Sequence, residues 1–366
     1  METKNISFSD IVKNFSPAWY ASVMGTGGLA NVFYLLSMNF KFLKPIALGL
    51  WWLNIALFLI FIIPWTLRWF FHFDSLIKDL KHPIMSNFFV TMPVGGLILG
   101  TNFFMMGKGY FSMSFIINLG LVLWSFAGIT SLFFGVYVMY NMMISEKIGF
   151  EVKNFSWLIT PVASIVIPLL GNLLVKSYFK SNISLAKFIN LIDISFFGIG
   201  FMLFVILTTV IIRRFIVNKM PPSMVAPTFW IILGPIGVGT VSLMGIADVS
   251  KMLGLISSVG TLKLLSLVFW GFGIWAFFLI LAITVKYMNE GKIPYSLSWW
   301  AFIFPMSAYT LSSFSVYAYT KVSFILVYTI VLAALLSYLW IVTFIKSLVG
   351  TFNGKLLAPP TMKKAN

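Results

Sequence analysis

The sequence predicts an all-α integral membrane protein whose ten transmembrane helices form five helical hairpins around a central pore. Three observations lead there. Of 366 residues, 60% are hydrophobic and only 9% charged, with a mean hydropathy of +0.98, whereas soluble domains carry about 25% charge. Hydrophobic segments long enough to cross a bilayer follow one another with only short polar connections. Helix-breaking residues recur about 70 residues apart and fall in alternate segments.

The chain opens with METKNISFSDIVKNF, polar and with two acids. This is no signal peptide, which needs a basic start and an apolar run. Residues 1–16 read as a short cytoplasmic segment, helical in part. Ten spans follow, near 17–38, 46–70, 86–106, 113–140, 155–176, 188–212, 225–248, 262–286, 297–318 and 322–347, so 17–350 is one transmembrane domain. Residues 351–366, with Pro359-Pro360 and three lysines, are a polar cytoplasmic tail.

The breaks are Gly25 to Gly28 (with Thr26 between Gly25 and Gly27), Pro93, Pro161 with Pro168, Pro235 and Pro305. An aromatic residue or pair precedes each: Trp19-Tyr20, Phe88-Phe89, Trp157, Phe229-Trp230 and Trp299-Trp300. Odd-numbered spans also carry more hydroxyls and amides. Even-numbered spans are richer in Leu, Ile, Val and Phe, and only Pro64 lies inside one of them. A broken helix cannot expose unpaired backbone to lipid, so odd spans belong inside, lining a cavity. Each two-helix unit crosses the membrane twice, so the five units are parallel and related by rotation about the membrane normal.

The formal net charge is +16, from 25 basic and 9 acidic residues. The basic residues are scattered singly over short loops, which excludes a nucleic-acid surface. Of the 25, 16 fall on the side holding both termini and 9 on the other, which places the termini in the cytoplasm. There is no Cys, and both His, His72 and His82, lie in one loop. No cofactor, metal site or catalytic constellation is expected, and the chain does not read as an enzyme. The pore segments offer hydroxyls, amides and freed backbone but almost no charge, which suits loose passage of anions over tight capture. Asp248, near the end of the seventh span, is the candidate for proton coupling, with Asp193 near the start of the sixth as a second intramembrane acid.

The stretch Phe15-Ser-Pro17-Ala-Trp19-Tyr-Ala-Ser-Val-Met24-Gly25-Thr26-Gly27-Gly28, with Trp299-Trp300-Ala-Phe302-Ile-Phe304-Pro305-Met306 late in the chain, resembles the tellurite-resistance/dicarboxylate transporter family. That family includes bacterial tellurite-resistance membrane proteins, fungal malate and sulfite transporters and plant slow anion channels. The resemblance covers the whole chain. It implies pseudo-fivefold symmetry, an inner ring of odd helices, an outer ring of even helices and a homotrimer. It also implies a phenylalanine that blocks the pore from the ninth helix: Phe304 by motif match, with Phe302 as the alternative. The expected function is a cell-membrane channel or transporter passing small anions such as chloride, nitrate, sulfite or a C4-dicarboxylate such as malate. The alternative is a proton-coupled malate carrier.

Overall fold

The computed structural model describes residues 7–144, 154–291 and 293–357. Among these the regular structure is entirely helical. A short helix, α1 (Phe8–Asn14), is started by a Ser7–Asp10 capping box. In chain order follow α2 (Tyr20–Leu36), α3 (Leu43–Phe71), α4 (Phe73–Leu80), α5 (Thr91–Met106), α6 (Met113–Ile144), α7 (Ile159–Ile165), α8 (Ile167–Tyr178), α9 (Ile183–Val217), α10 (Leu233–Met252), α11 (Gly260–Glu290), α12 (Trp300–Thr320) and α13 (Ser323–Phe352). Residues 1–6 and 358–366, where part of the N-terminal segment and most of the tail were expected, lie outside the described residues.

Among the described residues eight helical runs are long and apolar enough to cross a membrane, and the protein is a multi-pass membrane protein. α2 and α12 are not among the eight. α2 is diluted by Ser22, Gly25, Thr26, Gly27, Gly28 and Asn31, and α12 by Ser307, Thr310, Ser312, Ser313 and Ser315. Both are nonetheless among the most deeply buried helices of the molecule.

Five segments form the interior: α2, α5, α7 with α8, α10 and α12. They touch in cyclic order, and α12 returns to α2. Each also packs against the long helix that follows it (α3, α6, α9, α11 or α13) and, more lightly, against the long helix of the preceding pair. Side-chain hydrogen bonds join neighbouring pairs at a recurring separation: Asn102 to Asn31 across 71 residues, Thr160 to Asn87 across 73, Trp124 to Asp193 across 69 and Ser242 to the Ile165 carbonyl across 77.

The expected mid-helix breaks are corrected in their form. Each inner segment begins with three-ten backbone, at Pro17–Trp19, Met85–Val90, Phe155–Leu158, Ser223–Ile232 and Leu297–Trp299, before turning into α-helix. Pro93, Pro161 and Pro235 each sit at the third residue of the α-helix that follows. There a missing N–H removes little, because the first turn has no partner inside the helix. Pro305 stands further in, and α12 continues through it. The one true interruption is at Val166, between α7 and α8, bracketed by Pro161 and Pro168. α2 runs unbroken through Gly25–Gly28. Those glycines permit close packing: a Cβ on Gly25 would lie 2.9 Å from Ile303, and one on Gly28 would strike the Ser307 hydroxyl.

Candidate functional site

A narrow cavity lies on the axis of the inner ring, and all five inner segments line it. Each contributes two residues one turn apart: Ala21 and Met24, Phe88 and Thr91, Ile159 and Val162, Ile231 and Gly234, Ala301 and Phe304. Leu297, Ser298, Trp300 and Pro305 complete the wall. About 40 Å³ is open to water-sized occupants, room for only a few molecules. All five pairs sit at or near the start of an inner α-helix, so five helix N-terminal ends share one side of the cavity. Their aligned peptide dipoles make that side favourable to negative charge.

No described side chain lining the cavity carries a charge. The Thr91 hydroxyl lies 2.7 Å from the Pro17 carbonyl and 2.6 Å from the Phe88 carbonyl, so its single proton is already engaged. Ser298 shares a 2.7 Å bond with Ser296. Phe304 is the bulkiest of the second members of the five pairs, the others being Met24, Thr91, Val162 and Gly234.

The two candidate phenylalanines separate cleanly. Phe304 is buried in the cavity wall. Phe302 points elsewhere, with its ring edge-to-face with Trp230 at 5.5 Å and with Trp299 at 5.6 Å. Pro305 lines the cavity, whereas Pro93, Pro161, Pro168 and Pro235 do not. Gly25, Thr26 and Gly27 do not line this cavity and make contacts between helices. Gly25 faces Ile303 and Trp300. Thr26 accepts a 3.0 Å bond from the Trp340 indole on α13. A Cβ on Gly27 would meet Ile98 and the amides of Asn54 and Asn102.

The two intramembrane acids also part company. Asp248 is about half exposed and forms a 2.7 Å ion pair with Lys263, tying α10 to α11. Lys263 also sits 4.8 Å above the Tyr319 ring. Asp193 is fully buried, accepts a 2.9 Å bond from the Trp124 indole and lies against Gly171.

Two features escaped the sequence reading. Arg68 is 2% exposed. It donates to the carbonyls of Lys13, Phe15 and Ser75 and to Asp79 at 2.7 Å, locking α1 and α4 to the end of α3. The second is a chain of amides: Asn54 donates to Asn102, Asn102 to Asn31 and the Gly27 carbonyl, and Asn31 to Thr101. Its signal was present in the sequence, since Asn31, Asn102, Asn172, Ser242 and Ser312 recur about 70 residues apart, all of them buried.

The profile of the SLAC1 family, described as voltage-dependent anion channel, matches residues 14–348. The chain belongs to this family. An uncharacterized transporter of Methanocaldococcus jannaschii is 39% identical over 347 residues, covering 95% of this chain and 96% of the relative. A sulfite efflux pump of Trichophyton rubrum is 25% identical over 314 residues, covering 82% and 81%. A putative malic acid transport protein of Schizosaccharomyces pombe is 22% identical over 314 residues, covering 82% and 71%. As a member of the SLAC1 family, the protein is a membrane anion transporter or channel rather than an enzyme.

Proposed function

We propose that this SLAC1-family protein is a passive, gated anion channel of the cell membrane, with Phe304 as its gate. The observation that carries the reading is the Phe304 ring in a cavity walled by one pair of residues from every inner segment. On this reading α2 and α12 cross the membrane as well, giving ten spans in five hairpins with pseudo-fivefold symmetry and both termini in the cytoplasm. The cyclic contacts of the inner segments support that arrangement. Substrates are small anions: chloride, nitrate, sulfite or a C4-dicarboxylate such as malate. The names of the fungal relatives, sulfite efflux and malic acid transport, favour the last two. Five helix N-termini supply a diffuse positive field without a tight binding site, which suits conduction. Asp248 is read as one half of an ion pair, not as a proton carrier. A homotrimer with one pore per protomer follows from the family resemblance, and mass measurement in mild detergent tests it: a stable monomer counts against it.

Anion current in planar bilayers tests the gate. Phe304→Ala conducts far more than the wild type, with currents reversing near the potential of the permeant anion. Equal currents in the two proteins, or none in either beside proton-driven malate uptake in vesicles, would overturn the reading.

A further inference from the structure

α7 is the thinnest part of the inner wall. It has seven residues, and the interruption at Val166 separates it from α8. Ile159 and Val162 line the central cavity, while Ser164, two residues on and on the opposite side of the helix, forms the floor of a different space. That space is a groove of about 340 Å³ between α6 and α9. Both helices lean on α7, but they scarcely touch each other. On the α9 side the wall is tight, because a Cβ on Gly200 would strike Ile165 and the Pro161 carbonyl. On the α6 side it is open, because a Cβ on Gly135 would meet only a Thr160 methyl, at 3.7 Å.

We infer that this groove holds one acyl chain of a membrane lipid, and that the chain bears on the central cavity through α7. The shape commits the occupant. Along α6 the groove runs from Leu132 to Met143, about 16 Å at 1.5 Å per residue. One leaflet of hydrocarbon is about 15 Å deep. The groove follows the helix, the direction of a lipid chain, and its lining side chains are apolar apart from the hydroxyls of Ser131, Tyr140 and Ser164. It is continuous with the lipid-facing side of α6, where Leu132, Val136 and Tyr140 are exposed. A space of this size open to lipid is filled by lipid, and its filling presses on a seven-residue wall. The site itself stands without the proposed conduction path, whereas its effect on the cavity rests on that path.

The test is photolabelling in phosphatidylcholine vesicles doped with phosphatidylcholine that carries a diazirine on one acyl chain, mapped by peptide mass spectrometry. Wild type should label 132–143 and 199–203 above the level found on α13. Gly135→Leu, which fills the groove without a clash, should lose that excess, keep the label on α13 and its thermal stability, and change anion flux from the same vesicles. Uniform labelling of all outer helices, or an excess that survives Gly135→Leu, overturns the site. Loss of the excess with unchanged flux overturns the coupling, even where Phe304→Ala conducts. Leu132→Cys introduces the only thiol. If it cross-links two copies and the groove takes no label, a second copy covers the groove and the proposal fails.

Discussion

The runs Ser223–Met252 and Gly260–Glu290 are neighbours in sequence and in space, and each holds a strongly apolar 18-residue stretch, with mean hydropathies of 1.8 and 2.3. Yet 89% of the first stretch is buried inside the protein and only 28% of the second. The same contrast separates Phe155–Tyr178, 89% buried, from Ile183–Val217, 33% buried. Hydropathy does not sort the two sets: Phe155–Tyr178 is more apolar, at 2.1, than the outer Met113–Ile144, at 1.9. In a bilayer there is no hydrophobic drive to bury one apolar helix rather than another. Close packing by small residues and hydrogen bonding by hydroxyls and amides decide instead. Gly234, Gly237, Gly239, Thr240 and Ser242 of α10 are buried. On α11 the outward face carries Leu264, Val268, Trp275 and Phe278, all exposed.

Four tests, using six substitutions, put that contrast at risk, taken from the largest expected effect to the smallest. Gly237 packs on the backbone of Ala308 and Tyr309, with the Ala308 oxygen 2.6 Å from where a Cβ would sit. Backbone cannot step aside as a side chain can, so Gly237→Leu should cost more than the usual 1–3 kcal/mol of about one overpacked site and largely abolish the folded protein. Its outer counterpart is Gly271, which has nothing within 4 Å of a Cβ. Gly271→Ala should stabilise α11 by up to about 1 kcal/mol through helix propensity. Thermal unfolding in detergent reads both, and equal losses would erase the distinction between the rings.

Phe302→Ala and Phe304→Ala form a second pair. Truncating Phe302 between Trp230 and Trp299 should cost about 3–5 kcal/mol and leave the protein closed. Phe304→Ala should raise anion current at a smaller cost in stability, because its ring already borders a cavity. Opening by Phe302→Ala alone would invert the assignment. Third, Asn102→Leu removes the hub of the amide chain and strands the buried Asn31 and Asn54. The expected loss is about 1–3 kcal/mol, read as a lower melting temperature. No loss would mean that the amides are incidental to ring closure. The smallest effect is expected of Asp248→Asn. Its ion pair with Lys263 is partly exposed, and such pairs are worth about 0–1 kcal/mol. Stability should barely move, and anion flux should respond to an imposed pH gradient no differently from wild type. Selective loss of gradient-driven uptake would restore Asp248 as a proton carrier.

A good deal of this was written in the residue order. The period of about 70 residues, the alternation of small and polar segments with bulky apolar ones, and the membrane class follow from composition and spacing, because lipid imposes backbone satisfaction and length on every span. α1 was legible from its polar start. Less legible was the form of the breaks. Gly25–Gly28 looks like an interruption in sequence, yet intact helix is retained there because Ile303, Ser307 and Asn102 come close enough to need bare backbone. Whether glycine bends a helix or admits a neighbour depends on what lies opposite it, and that is fixed only when the ring closes.

Arg68 marks the same boundary. In sequence it is a cation at a span end that could as well reach for lipid phosphate. Its burial depends on α1 and α4 folding back to present three carbonyls and Asp79 at once. Phe302 and Phe304, two residues apart on one helix, point to opposite fates for an equally simple reason: a helix turns about 200° between them. Composition and period, being properties of the chain, determined that this protein spans the membrane as repeated inner and outer helices. Which aromatic ring meets the axis, which glycine is packed and which charge is buried were decided only by the tertiary structure, because each depends on residues distant in sequence arriving at the same place.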